Sequence, residues 1–137
     1  MNTKAKPFIK WVGGKGQLIE QLEAKLPADF DNWENATYIE PFVGGGAMLF
    51  YMLQQYPNIK RAVINDINSD LTNLYRCVKF HLAELVAQFR WMLVSRDEFD
   101  RFLKTPADTL TDIQRAARFF YLAKSSFGAR IVKPTYG

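Results

Sequence analysis

A chain of 137 residues, 48% hydrophobic and 15% aromatic, can bury a core of its own, which excludes a disordered or low-complexity segment. Its 18 basic and 14 acidic residues leave a net charge of +4, which permits nucleic-acid binding without demanding it. Cys77 is the only cysteine, excluding an intrachain disulfide, and with neither a membrane-length apolar run nor a secretory apolar core in Met1–Lys10, a cytoplasmic protein without membrane partner is expected.

Residues 7–16 read Pro-Phe-Ile-Lys-Trp-Val-Gly-Gly-Lys-Gly, where Phe8, Ile9, Trp11 and Val12 surround Lys10 and glycines open a tight turn. A helix is predicted over about Lys15 to Lys25, with Leu18, Ile19, Leu22 and Leu26 on one face and Pro27 at its end. The Gly-Gly-Lys is not a P-loop, because the required spacing is absent and Gly16 stands where a hydroxyl residue belongs. Taken singly, Trp11 reads as a core aromatic and Lys15 as a solvated first-turn lysine.

Ala28 to Ala36 is polar and acidic, a loop, and a first strand follows over about Thr37 to Glu40. Pro41-Phe42-Val43-Gly44-Gly45-Gly46 then leads into a helix over about Ala47 to Tyr56, apolar nearly all round and closed by Pro57. A second strand is predicted at Arg61 to Asn65, with Asp66 at its carboxyl end. Strand, helix and strand at this spacing define a parallel βαβ unit, and ligands of such sheets bind at the carboxyl ends of the strands, where Glu40 and Asp66 fall. Glycines there let backbone approach a ligand, and the helix start offers unpaired N–H groups. The stretch thus reads as a nucleotide-type cofactor cradle whose two carboxylates can take ribose hydroxyl and amino groups. The plain alternative is a glycine-rich turn that binds nothing, since the strict G-x-G-x-x-G spacing is missing.

From Asn68 the pattern turns helical. Ser69 is the expected cap of a long segment with apolar residues from Leu71 to Met92 at spacings of three and four, broken near His81. His81, the only histidine, reads as an ordinary helix-surface residue, and no metal site is expected. Asp97 is the expected cap of a short helix carrying Phe99, Phe102 and Leu103, stopped by Pro106. Thr111-Asp112-Ile113-Gln114 is a capping-box signature opening a helix to about Lys124, with Ile113, Ala116, Ala117, Phe120 and Tyr121 inward. The closing stretch from Lys124 to Pro134 mixes bases, hydroxyls and Phe127 around a glycine; it suits phosphate contacts and equally suits a solvated tail.

Four segments together resemble one family. Phe8-Ile9-Lys10-Trp11-Val12-Gly13-Gly14-Lys15 resembles the first motif of the Dam-like (D12 class) adenine-N6 DNA methyltransferases. Glu40 to Ala47 is similar to their cofactor motif, Asn65-Asp66-Ile67-Asn68 to their acidic motif, and residues 115–128 to the segment before the DNA-recognition hairpin. The resemblance implies an α/β chain: a partial Rossmann-like S-adenosylmethionine-dependent methyltransferase fold over residues 1–68, and the helical start of a target-recognition extension over 69–137. It implies S-adenosylmethionine as cofactor and adenine in double-stranded DNA as substrate, in the manner of restriction-modification and DNA adenine methylation. By the same matching, Trp11 and Lys15 would meet the methionine end of the cofactor, Asp66 the ribose hydroxyls, and Glu40, Pro41, Phe42 and Gly44 would shape the pocket. Lys10, Lys124, Arg130 and Lys133 would be the DNA contacts.

The family's Asp-Pro-Pro-Tyr catalytic motif has no counterpart, since no two prolines are adjacent in these residues. The expectation is therefore an amino-terminal part of such an enzyme, inactive alone, holding no catalytic residue and completed by a carboxy-terminal catalytic fragment. The alternatives are a non-catalytic cofactor- or DNA-binding remnant and a dinucleotide-dependent oxidoreductase, the latter disfavoured by the triple glycine.

Overall fold

The computed structural model describes residues 4–127 together with 135 and 136. The chain divides into two compact units, Met1–Ile67 and Asn68–Gly137. The first unit opens with a 3-10 turn, Lys15–Leu18, that runs directly into the short helix α1, Ile19–Glu23. Strand β1 (Ala36–Glu40), helix α2 (Ala47–Gln55) and strand β2 (Ile59–Ile64) follow. The two strands pair in parallel, with Tyr38 opposite Ala62, Ile39 opposite Val63 and Glu40 opposite Ile64. The βαβ reading of the sequence is thus observed, and the mixed helix–strand architecture with a small parallel sheet is compatible with an α/β methyltransferase fold.

Period-two alternation decides which strand residues are buried. Ala36 and Tyr38 face a core of Phe30, Met48, Met52 and Ile59, while Ile39 remains 66% exposed and its partner Val63 40% exposed. Helix α2 buries Met48, Leu49 and Met52 but leaves Leu53 exposed, so it is apolar all round in sequence yet one-sided in packing. Within the polar loop before β1, Phe30–Asn32 form a 3-10 turn whose buried Phe30 meets Tyr56 edge-on at 5.2 Å between ring centroids.

The second unit holds helices α3 (Ser69–Phe80), α4 (Leu82–Gln88), α5 (Arg96–Lys104) and α6 (Asp112–Ser125). The break expected near His81 lies there: His81 closes α3 and precedes α4, with φ at −138°, outside the helical range. Two caps differ from expectation by one and two positions. Asn68, not Ser69, caps α3, its side-chain oxygen accepting from the Asp70 and Leu71 N–H groups at 3.0 Å each. Ser95, not Asp97, caps α5 by accepting from the Glu98 N–H at 3.2 Å. In both cases the residue with extended backbone reaches the orphan N–H groups, whereas Ser69 and Asp97 already lie inside the helix. The capping box of Thr111 and Gln114 forms in both directions, at 3.0 and 3.3 Å.

Helix α6 buries Ala116, Ala117, Phe119, Tyr121, Leu122 and Ala123. Phe119 takes the inward place expected for Phe120, which lies half-buried against Phe89 at a centroid distance of 5.2 Å. Asn73 in α3 is buried, and its amide donates to the Asp112 carbonyl at 2.8 Å, so a polar group inside the α3–α6 contact is satisfied rather than stranded. Among the described residues, no helix is long and apolar enough to cross a membrane.

Phe99 is 1% exposed and packs with Phe102, Tyr121 and Leu122. Phe99→Ala should lower the unfolding free energy by about 3–5 kcal/mol, because it removes a fully buried ring and leaves a cavity in this cluster. Urea titration followed by circular dichroism measures this; a loss under about 1 kcal/mol would place Phe99 outside the core.

Candidate functional site

The carboxyl ends of β1 and β2 converge because the parallel ladder continues beyond both strands. The Asn65 N–H donates to the Glu40 carbonyl and the Val43 N–H to the Asn65 carbonyl, each at 2.9 Å. That register brings Asp66 beside the glycine turn, where its Oδ2 accepts from the Gly44 N–H at 3.0 Å. Trp11, Val12, Gly13, Gly14, Lys15, Phe42, Val43, Gly44, Gly45, Ala47 and Asp66 line one cavity there. Five residues expected from sequence are thereby brought together: Trp11, Lys15, Phe42, Gly44 and Asp66. Its volume of about 240 Å³ falls below the ~300–1,000 Å³ usual for ligand sites, as expected of a site with walls on only some sides.

The glycines serve a neighbour as well as a ligand. A Cβ at Gly44 would stand 3.0 Å from the Trp11 ring, and one at Gly45 would stand 3.1 Å from both the Ile9 carbonyl and the Trp11 Cβ. Gly44 also has φ of +51°, a conformation costly for a side chain. The turn is therefore bare because the Trp11 segment lies on it, and the indole borders the cavity instead of disappearing into a core. Lys15 is not a freely solvated lysine: its Nζ bonds Glu40 Oε1 at 3.0 Å and donates to the Phe42 carbonyl.

Glu40 stands apart from these five. It is only 5% exposed, lies outside the residues lining the cavity, and its two oxygens take Lys15 and, at 2.8 Å, the Tyr38 hydroxyl. Its carboxylate thus holds Lys15 in the cavity wall. Burial, with the hydrogen bond to Glu40 second, pushes the Tyr38 hydroxyl well above the ordinary phenol range, so Tyr38 stays a donor. Tyr38 was not foreseen, although its place two residues before Glu40 on one strand face was readable from the alternation. Pro41 is exposed where the chain leaves β1 and does not line the cavity.

Of the expected DNA contacts, Lys10 and Lys124 are exposed, Lys124 with its ammonium 5.6 Å from the Phe120 ring centroid. Arg130 and Lys133 lie outside the described residues. Among the described residues no cluster of three or more His, Cys, Asp or Glu could hold a metal ion. Cys77 is buried, and desolvation raises its thiol pKa, which keeps it protonated and unreactive.

The glycine turn, Asp66 from the end of the second strand and the Trp-Val-Gly-Gly-Lys turn thus meet at one cavity. Residues 11–130 match the family of D12 class N6 adenine-specific DNA methyltransferases, and the chain belongs to that family. It is 38% identical to the type II methyltransferase M.MjaIII of Methanocaldococcus jannaschii, an alignment covering 90% of this chain and 47% of that protein. It is 35% identical to a DNA adenine methylase of Serratia marcescens, over 90% of this chain and 43% of the relative. The type II methyltransferase M1.LlaDCHI of Lactococcus lactis subsp. cremoris is 32% identical, over 89% and 42% respectively. The chain therefore spans less than half the length of these curated relatives.

Gly44→Ala should destabilise the protein by about 1–2 kcal/mol through its left-handed backbone alone. It should also shift the Trp11 indole N–H resonance while leaving those of Trp33 and Trp91 in place, because the new methyl group meets the Trp11 ring. An unmoved Trp11 signal would contradict the packing described.

Proposed function

We propose that this chain is the amino-terminal part of an adenine-N6 DNA methyltransferase that takes S-adenosylmethionine as methyl donor and adenine in double-stranded DNA as acceptor, working in the cytoplasm. The observation that carries this reading is the single cavity uniting Trp11, Lys15, Phe42, Gly44 and Asp66 at the carboxyl end of a parallel strand pair. Its chemistry fits the cofactor in kind. Asp66 supplies a carboxylate for ribose hydroxyls, and the Trp11 ring and Phe42 supply flat apolar surface. Lys15, held by Glu40, would stand near the methionine carboxylate, with Pro41 shaping the exit of β1. When bound, the cofactor supplies an electrophilic methyl group. The chain's own part is to hold it, exclude water from one side and fix its orientation.

The first unit is read as a partial Rossmann-like fold and the second as the start of a helical target-recognition extension. Lys10, Lys124, Arg130 and Lys133 are the proposed phosphate contacts. They would hold the duplex while the target adenine leaves the stack, as chemistry on a base requires. The Asp-Pro-Pro-Tyr acceptor motif is not among these 137 residues. We assign it to a polypeptide region, continuous or separate, that completes the sheet. The exposed pair Ile39 and Val63 marks a face on which such a region could also pack, because parallel sheets are ordinarily covered on both faces.

Calorimetric titration should show binding of S-adenosylmethionine and none of NAD; the reverse would overturn the cofactor assignment. Asp66→Ala should weaken binding by about 1.5–3 kcal/mol through loss of charge-assisted hydrogen bonds to ribose, with the variant still folded. Normal affinity in that variant would remove Asp66 from the site.

These 137 residues alone should transfer no tritiated methyl group to adenine-containing duplexes, and should do so once a fragment carrying the acceptor motif is added. Incorporation without the fragment would mean that the catalytic centre lies within these residues. Continued inactivity with it would favour a binding remnant.

A further inference from the structure

Helix α1 is short and meets the core through the half-buried Ile19. It has five residues, none of them buried, and no side-chain cap at its start. Yet it carries one wall of the cavity, because the turn Lys15–Leu18 runs into Ile19 without interruption. Its side-chain hydrogen bonds to the neighbouring helix come from its last residue. The Glu23 carboxylate accepts the Tyr51 hydroxyl at 2.6 Å on one oxygen and the Tyr56 hydroxyl at 2.6 Å on the other. Tyr51 lies in α2 and Tyr56 is its C-terminal cap, and α2 itself begins directly after Gly46, behind the opposite wall.

We propose that Glu23 is a positioning residue for the cofactor cavity: by gathering two phenols from α2 it fixes the Lys15 turn at working distance from the glycine turn, without touching a ligand. The inference rests on the cofactor reading above only for the identity of the ligand. Three features favour a built clamp over a chance surface contact. Both oxygens are used, both donors come from the same neighbouring helix, and both distances are those of charge-assisted hydrogen bonds. The groups bonded to the carboxylate are Tyr51 and Tyr56; Glu20 acts electrostatically on the Tyr51 hydroxyl and Asp31 on that of Tyr56, and no basic side chain is among these. The phenols hold the Glu23 carboxyl below its usual range, and Tyr56 is pushed up to about 12 by the hydrogen bond to Glu23, then by burial. A carboxyl whose folded pKa is lowered contributes its stabilisation above the ordinary carboxylate range and loses it as pH falls through the lowered value. The clamp is therefore fully closed at neutral pH.

The test uses the full 137-residue chain as wild type, Glu23→Ala, Glu23→Gln and the double variant Tyr51→Phe/Tyr56→Phe, which keeps both rings and removes only the hydroxyls. Two quantities are read: affinity for S-adenosylmethionine by calorimetry, and amide hydrogen exchange of residues 15–18 without ligand. The expected result is affinity weakened about tenfold in Glu23→Ala and in the tyrosine double variant, comparable to one charge-assisted hydrogen bond lost. Glu23→Gln, which keeps an acceptor, should fall between, and exchange at residues 15–18 should accelerate in step. Unchanged exchange at those amides in the folded tyrosine variant would overturn the proposal, whatever the affinities. If the wild type itself bound no S-adenosylmethionine, the cofactor reading would fall, while the exchange measurement would still decide whether Glu23 orders the wall.

Discussion

A carboxylate buried at the end of a strand is the constraint on which the first unit depends. Glu40 is 5% exposed, and an unpartnered charge there would cost several kcal/mol. The fold meets that demand with one cation and one hydroxyl, Lys15 and Tyr38. Satisfying Glu40 therefore draws the Gly-Gly-Lys turn, distant in sequence, against the end of β1. Lys15 then reaches the Phe42 carbonyl as well, so the same ammonium ties the incoming turn to the outgoing one. The candidate site is in this sense a by-product of burying one negative charge properly.

Backbone register does the remaining placement. Because Glu40 pairs with Ile64 and the ladder runs on through Asn65, Asp66 has only one place to go, beside the Gly44 N–H. The glycines then admit the Trp11 segment at contact distances that a Cβ would prohibit. Charge burial, strand register and glycine sterics act on different residues yet converge on one cavity, which is why five residues spread from Trp11 to Asp66 meet. The small volume and the exposed Ile39–Val63 face go with a sheet that has two strands among the described residues, which supply neither further walls nor a second covering layer.

The second unit carries several ion pairs beside its aromatic cluster. Asp112 at the start of α6 pairs with Arg76 at 2.6 Å, and Asp70 in the first turn of α3 takes Arg115 at 2.8 Å. Arg96 and Arg101 are paired along α5, with Asp100 and Glu98. Among the described residues these four arginines, with Lys15 in the first unit, are thus committed to carboxylates within the protein, out of 18 Lys and Arg in the sequence. Counting charges in the sequence measures the supply of cations for a phosphate backbone, whereas the fold decides how many stay unspent. The exposed Lys10 and Lys124 stand outside these arginine pairs.

What the sequence determined by itself is whatever rests on neighbours a few residues apart. The βαβ unit, the break at His81, the capping box of Thr111 and Gln114, and the position of Asp66 at a strand end all follow from periodicity, turn residues and local hydrogen bonds. Even local reading slipped where two adjacent polar residues could both cap, because one backbone angle chose Asn68 over Ser69. The chain's motifs also carried its family, since a sequence pattern is a local record. Only the tertiary structure decided that Glu40 faces inward to Lys15, that Trp11 lies on the glycine turn, and that Glu23 joins α1 to α2. Those contacts link residues 25 to 33 positions apart wherever the partners are Glu40 with Lys15 or Glu23 with its tyrosines. Their existence depends on how helices and strands pack, and no side-chain pattern along the chain encodes a distance across it.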